Sequence, residues 1–520
     1  MKHPFGDRAI RFLTMLMLPL FVGACSLPPP PERVPSSAFG PEHTAETRLG
    51  RASAAQVARQ RDGKSGVHAL FDPLEAFAAR MLLAEAAEKS LDVQYYIWHA
   101  DQTGTLLMQA LVDAADRGVR VRLLLDDGGT SGLDDRLAAL AEHPQIEVRL
   151  FNPFVLRWPK PMGYLTDFSR ANRRMHNKSF TADNQATIIG GRNMGDEYFG
   201  ATDGVLFSDL DVLAIGPIVP EVSADFDRYW ASASAWPVQA ILPAAGAEGL
   251  APLARDAARI RNSPEARAYA DAVRNTAFVN DHLQQRVALD WSVVRMVSDD
   301  PAKGLAKEER GGLLVDQLYH LLGAPQRSLS LVSPYFVPTA AGVQALAAMR
   351  QRGVAVQILT NAYEATDVPL VHAGYAKRRK PLLKSGVALY EMQSTATGGK
   401  DPVARLNPLG SSGSSLHAKT FAVDGERAFV GSFNFDPRSA LLNTELGFLI
   451  DSPVLAKRIE SAFETQVPKR SYTLALSDSG KVVWRDFADP PVVHKVEPGS
   501  SWWSRAGLTA LSWLPIEWLL

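Results

Sequence analysis

The chain has 520 residues, 46% of them hydrophobic and 21% charged, and its 55 Lys+Arg against 56 Asp+Glu leave a formal net charge of −1. That composition excludes a disordered chain and a polytopic membrane protein, and the near-neutral charge speaks against a dedicated nucleic-acid binder. At roughly 100 to 200 residues per domain, the length holds two large domains or three small ones.

The first 24 residues have the anatomy of a secretory signal: Lys2, Arg8 and Arg11 at the start, an apolar run from Phe12 to Val22, then small Gly23 and Ala24. The only cysteine, Cys25, follows at once. A lone cysteine without context is most often a small buried hydrophobe, but Val22-Gly23-Ala24-Cys25 resembles the lipobox of bacterial lipoproteins, which implies an acylated Cys25 as the first mature residue. Gly23 is a mild departure from that box, and plain cleavage or a retained anchor are the alternatives. With a single cysteine, no intrachain disulfide can form. Removing the signal removes three basic residues and one acid, so the mature charge falls to about −3. Residues 25–66, opening with Pro28 to Pro31, read as an extended tether.

The body of the chain repeats itself. A strand in Lys89 to Trp98, a helix over Thr105 to Arg117 and a strand in Gly118 to Asp127 return as Arg327 to Phe336, Ala340 to Arg352 and Gly353 to Asn361. A third strand follows each set, Ile146 to Phe151 and Val387 to Met392. Strands and helices in alternation, with nearly continuous Val, Ile and Leu in the strands, predict an α/β architecture of two pseudosymmetric halves, residues 67–235 and 311–465. Residues 236–310 read as a helical connection or insertion, within which the charged stretch Lys303 to Arg310 reads as solvated surface. Residues 466–520 form a C-terminal extension. It ends with Trp502, Trp503, Trp513 and Trp518 among leucines, too short to span a bilayer and broken by Pro515, and it reads as either a membrane-interface segment or a docked tail.

Each half carries a histidine and a lysine two residues apart. The first set is His176, Lys178, Asp183, Gly190, Gly191 and Asn193; the second is His417, Lys419, Asp424, Gly431, Ser432 and Asn434, with an offset of 241 throughout. Residues i and i+2 of extended chain face the same side, so each pair sets an imidazole beside an ammonium. One such pair is common on surfaces. Two copies with matched spacing on a duplicated fold predict two imidazoles and two ammoniums around one phosphate-sized space, with Asn193 and Asn434 as neutral donors.

On these residues the chain resembles the phospholipase D superfamily, whose signature HxKxxxxDxxxxxxGSxN occurs in duplicate. The segments DVQYYIW, RLFNPF, RRMHNKSF, GGRNMGDEYF, HAGYAKRRK, SLHAKTF and GSFNFDPRS are similar, more narrowly, to bacterial cardiolipin synthases of the C group. Gly191 departs from the signature, standing where Ser is usual and where the other half has Ser432. The resemblance implies phosphodiester exchange through a covalent phosphohistidine, with His176 as nucleophile and His417 as general acid and then base, an assignment the pseudosymmetry leaves reversible. It implies catalytic roles for His176, Lys178, Asp183, His417, Lys419 and Asp424, although the two aspartates fit a turn-holding role better than contact with substrate. Phosphate contacts fall to Asn193, Asn434 and Ser432. Each histidine also needs a carboxylate on its second nitrogen; Glu445 takes that role by resemblance, and Asp211 stands in a matching strand context, with Asp209 nearby. No metal or cofactor is called for, since the lysines supply the positive charge.

The expected function is that of a phosphatidyltransferase making cardiolipin, with phosphatidylglycerol as acceptor and phosphatidylglycerol or phosphatidylethanolamine as donor. Alternatives are a phospholipase D releasing phosphatidic acid, a periplasmic nuclease and an inactive lipid-binding module. His372 reads as structural, while the neighbouring Lys377, Arg378, Arg379 and Lys380 are candidates for anionic head groups. A lipoprotein on the periplasmic side is the expected location, and Ser26 in place of Asp leans towards the outer membrane.

Overall fold

In the computed structural model β1 (Ser65–Leu70) leads into the helix Pro73–Ala86, whose first turn is capped by Asp72 accepting from Leu74 N at 2.8 Å. Then come β2 (Ser90–Ile97), the helix Gln102–Asp116, β3 (Arg120–Gly129) and β4 (Ile146–Phe151). Gly118 closes that helix at φ +90°, a left-handed conformation that favours a residue without Cβ. The half is completed by β5 (Ser179–Ala182), β6 (Ala186–Gly190), β7 (Leu206–Ser208), β8 (Asp211–Ile215) and β9 (Ala235–Pro237). Its sheet runs β9–β4–β3–β2–β5–β6–β8–β1, parallel where helices cross between strands and antiparallel elsewhere. Leu91, Val93, Leu123 and Leu125 are fully buried in it, as a sheet covered on both faces requires. The structure describes Leu27 and residues 35–517, leaving out 61–62, 158, 202–205, 277, 279–286, 309–310, 367, 395–413 and 513–516.

The second half repeats this sheet. β10 (Asp290–Ser298), β11 (Ser328–Val332), β12 (Ala355–Asn361), β13 (Ala388–Met392), β14 (Ser414–Leu416), β15 (Thr420–Val423), β16 (Arg427–Gly431) and β17 (Leu446–Asp451) build the sheet order β13–β12–β11–β15–β16–β17–β10, with β14 outside it. Gly353, at φ +88° after the helix Thr339–Gln351, stands where Gly118 does. The halves join at several places. β1 pairs with β10, and an apolar core of Val212, Ala214, Val430, Phe448 and Ile450 fills the seam behind the strands.

Four expectations need correcting. Residues 25–66 are not all tether: Arg120 Nη2 donates to Ser37 O at 2.7 Å, Asn184 Nδ2 to Phe39 O at 2.8 Å, and Arg48–Val57 is a helix capped by Thr47. The region 236–310 holds more than connecting helices, since it contains β10, whose Val297 is buried against β17. Lys303 is buried, not solvated: it pairs with Asp299 at 2.9 Å and donates to Ser439 O at 2.9 Å. The second sheet also runs past residue 465, because β18 (Ser471–Leu476) adds to β13 and is followed by β19 (Val482–Arg485) and β20 (Val493–His494).

The C-terminal helix Trp502–Ser512 packs beside the helix Pro369–Ala376. Glu517 pairs with Lys377 at 3.3 Å and Arg378 at 2.8 Å, while Arg379 is buried against Glu391 and Glu497, both at 2.6 Å. His372 is buried with its Nε2 2.7 Å from Glu497. Lys377, Arg378 and Arg379 thus bind their own chain, while Lys380 is exposed and Trp502 and Trp503 remain 58% and 69% exposed. The signal, Cys25, Trp513 and Trp518 lie outside the described residues. Among the described residues no helix is long and apolar enough to cross a membrane.

Candidate active site

His176 and Lys178 stand in the extended chain entering β5, and His417 and Lys419 in the chain entering β15. The opposite half holds each stretch. His176 N donates to Thr444 O and Thr444 N to Arg174 O, both at 2.9 Å; His417 N donates to Ser208 O at 2.9 Å, and β7 pairs in parallel with β14. From its own half each stretch is clamped by a strand end. Asp126 Oδ2 on β3 accepts from Met175 N at 2.7 Å, and Asn361 Oδ1 on β12 accepts from Leu416 N at 2.9 Å. Both histidines are therefore positioned by rigid strands, and neither half alone could complete a site.

The carboxylates cross the seam as well. Glu445 Oε2, in the second half, lies 2.8 Å from His176 Nδ1; Asp209 Oδ2, in the first, lies 2.6 Å from His417 Nδ1. The two carboxyls are electrostatically unequal. Burial pushes Glu445 up to about 7 against the pull of Lys178, and its Oε1 is buried without a hydrogen-bond partner. Burial would also raise Asp209, but His417, Lys419 and Arg192 hold it well below the usual carboxylate range.

Burial is the main cause that pushes His176 well down, helped by Lys178 and Lys419, which favours its neutral form. His417 is pushed down by burial and Lys419 while Asp209 pulls it up. Lys178 Nζ donates to His176 O at 2.5 Å, and Lys419 Nζ to His417 O while lying 2.9 Å from its Nδ1. Burial pushes Lys178 well down from its ordinary value, with Glu445 opposing. The edges of Tyr96 and Tyr198 meet the rings of His176 and His417 at 5.0 and 5.2 Å. Two buried imidazoles, each tied through Nδ1 to a carboxylate and set beside a lysine, suit double displacement at a phosphodiester.

The family model described as cardiolipin synthase, PLD-like domain, matches residues 82–230 and again 318–467. The chain belongs to this family. It is 49% identical over 465 residues to cardiolipin synthase C of Escherichia coli (strain K12), covering 89% of this chain and 97% of that protein. It is 25% identical over 407 residues to a cardiolipin synthase of Oceanobacillus iheyensis, covering 78% of this chain and 69% of the relative. Among solved structures, phosphatidylserine synthase of Haemophilus influenzae Rd KW20 shares the fold, with a TM-score of 0.52 at 14% identity over 81% of this chain and 92% of the other. As a phospholipase D-type phosphatidyltransferase the chain carries a duplicated fold with its two motifs facing one another across the seam.

In this cardiolipin synthase-family chain not every predicted residue stands where the sequence put it. Asp211 is not on a histidine: its Oδ2 lies 2.8 Å from Arg80 Nη2 and 3.3 Å from Arg192 Nη1, all three side chains buried. Register is the reason. Gly190 faces Asp211 across β6 and β8, as Gly431 faces Gly447 across β16 and β17, so the equivalent of Glu445 lies two residues before Asp211, at Asp209. Asp183 and Asp424 are structural. Asp183 accepts from Lys89 N and Ser90 N, Asp424 from Arg327 N and Ser328 N, and both sit at positive φ in the turn after the motif strand. Asn193 donates to Tyr198 OH at 2.9 Å; Asn434 is buried with its Oδ1 unpaired.

Ser432 Oγ donates to Glu445 Oε2 at 2.5 Å and so serves the carboxyl in this structure, not a phosphate. Gly191 has a physical reason: a Cβ there would stand 2.1 Å from Asp209 Oδ1. Sequence reasoning missed Asp209 as the histidine partner, the clamps Asp126 and Asn361, and the two tyrosines. It also missed that His99, Asp101 and Glu197 converge, with His99 Nδ1 3.2 Å from Glu197.

Proposed function

We propose that the chain makes cardiolipin by transferring a phosphatidyl group from one phospholipid to the free glycerol hydroxyl of phosphatidylglycerol. The crossed pairing of His176 with Glu445 and His417 with Asp209 carries this reading, because the two pairs are unequal in the way the reaction needs. His176, kept neutral by burial, attacks phosphorus through Nε2. The bond from phosphorus to the head-group oxygen breaks, and that oxygen takes a proton from His417, whose imidazolium is supported by the ionised Asp209. The acceptor hydroxyl then gives its proton to His417 and displaces His176 from phosphorus, so protons and bonds balance over the cycle. Lys178 and Lys419 meet the non-bridging oxygens, and an arriving phosphate anion offsets the burial that lowers Lys178. The donor is phosphatidylglycerol or phosphatidylethanolamine.

The likeness to cardiolipin synthase C over nearly that protein's whole length supports this choice of product. The signal-like first 24 residues and Cys25 support a lipoprotein held at the periplasmic face of a membrane, by preference the outer one, and Cys25→Ala should release the chain into the soluble fraction. The test of function is lipid analysis of a cardiolipin-null bacterial strain expressing the wild type or His176→Ala. Cardiolipin from the wild type alone is expected. Phosphatidic acid in its place would make the chain a hydrolase, and no change in lipids would overturn the reading.

A further inference from the structure

The halves differ at a place where their symmetry predicts likeness. In the first, Phe199 wedges beneath the helix Pro73–Ala86, its ring 5.4 Å from Phe77. Tyr269, on the inserted helix Pro264–Arg274, stands 5.8 Å from Phe77, and its hydroxyl donates to Phe199 O at 2.9 Å. At the offset of 241 that joins the two motifs, Phe199 corresponds to Ala440. The matched bridges of Trp98 with Met194 and Phe336 with Phe435 keep that correspondence in register. The second half puts a methyl group where the first puts a phenyl ring. No described element fills the difference, and a cavity of about 480 Å³ remains between the helix Leu314–Leu322 and the short helix Pro437–Leu441.

Leu318, Leu322, Phe421, Phe433, Ala440 and Leu441 are among the apolar residues that line it, and at its rim Tyr319 is 77% exposed. Its volume falls in the range of small-molecule sites, which are likewise mostly apolar. One of its walls, the helix Pro437–Leu441, is tied to the active-site stretch. The helix Pro437–Leu441 lies between Asn434 and Glu445 in the chain, and Leu441 O accepts from Arg173 Nη1 at 3.1 Å, three residues ahead of His176.

We propose that this cavity receives one acyl chain of the phospholipid whose phosphate sits between His176 and His417. The proposal rests on the phospholipid reading of the site. A phosphodiester held by two lysines carries hydrocarbon that must leave the polar site. An apolar chamber behind one short helix removes that hydrocarbon from water without unpairing any polar group. In the first half described side chains, Phe199 and Tyr269, occupy the matching space, so the two halves divide the labour and the donor's chain lodges in the second.

The experiment compares kcat/KM on phosphatidylglycerol with acyl chains from hexanoyl to oleoyl, in mixed micelles at fixed surface concentration, for the wild type, Ala440→Leu and Ala440→Phe. The ratio of long-chain to short-chain kcat/KM is expected to fall about tenfold in Ala440→Phe, mainly through KM, with Ala440→Leu between. Should Ala440→Phe not fold, Ala440→Leu and the enlarging variant Leu318→Ala, which should shift preference towards longer chains, decide in its place. An unchanged ratio in the folded variants overturns the proposal. Binding of a fluorescent lysophosphatidylglycerol to the same proteins separates the two readings: binding that Ala440→Phe weakens, in a wild type that turns over no phospholipid, sinks the activity and keeps the cavity, whereas binding indifferent to Ala440→Phe sinks the cavity.

Discussion

The two histidine stations are copies in backbone and not in electrostatics. His417 faces a short, ionised Asp209 with Gly191 beside it; His176 faces a longer Glu445, half-neutral near pH 7, with Ser432 donating to it. Burial lowers both imidazoles, but the ionised Asp209 opposes that lowering at His417, which is the ring that carries the proton in the proposed mechanism. Duplication supplies the scaffold, and in the proposed mechanism two small substitutions, Gly for Ser and Asp for Glu, set the nucleophile apart from the proton carrier.

The strongest way to break that division is to remove each histidine in turn. His176→Ala should abolish turnover on every substrate, a loss of about 10⁴-fold or more. His417→Ala should lose as much on a phospholipid but recover about 10²- to 10³-fold on a p-nitrophenyl phosphodiester, whose leaving group needs no acid. That variant should also accumulate a phosphohistidine at residue 176, readable by mass spectrometry after acid-free quench. Label at residue 417 in the His176→Ala protein would reverse the assignment.

The next largest contrast separates two aspartates that sit two residues apart. Asp209→Asn should fold and lose about 10²- to 10⁴-fold in kcat, because His417 loses the charge that supports its protonated form. Asp211→Asn leaves Arg80 and Arg192 buried without their shared carboxylate and should cost stability, about 3 to 5 kcal/mol by denaturant unfolding. If Asp211→Asn instead lowered kcat at unchanged stability, the pairing read from the structure would be wrong.

That contrast also marks how far the sequence was legible. The strand–helix–strand repeats, both glycine-closed helices and the two motif histidines followed from periodicity and spacing, since each is a local property of the chain. Asp209 was within reach: aligning DLDVLAI with ELGFLI sets Leu210 on Leu446 and Asp209 on Glu445. The choice of Asp211 rested on a matching strand context and not on strand register, and register decides which carboxylate faces inward. The crossing of each carboxylate to the other half's histidine was not legible, because contacts over 208 and 269 residues leave no local pattern. Lys303 misled differently: its partner Asp299 is four residues away, but what buries the pair, Ser439 O and Glu445 N, lies far along the chain.

Exchanging the glycine and serine should act more gently. Gly191→Ser drives a Cβ into Asp209, so the carboxylate must swing away from His417, and kcat should fall about 10- to 10²-fold with little change in KM. Ser432→Gly removes a hydrogen bond to the Glu445 carboxylate, for which a loss of about 1.5 kcal/mol, or roughly tenfold, is expected. Equal effects from the two changes would argue that the stations are interchangeable after all.

The smallest effect has the most distinctive sign. Glu445 holds its proton more tightly folded, up to about 7, than the 4.5 of an ordinary glutamate. Its protonation therefore favours the native state fully below about pH 4.5, and that contribution is lost as the pH rises through about 7. Asp209 runs the other way, contributing above the usual carboxylate range and losing its contribution only in acid. With melting temperature measured from pH 2 to 8, the limb from pH 4.5 upward should thus fall more steeply for the wild type than for Glu445→Gln, while Asp209→Asn should leave that limb unchanged and flatten the one below pH 4. Parallel curves for the wild type and Glu445→Gln would mean that Glu445 is ionised in the resting enzyme, and the neutral state of His176 would then rest on burial, the two lysines and His417.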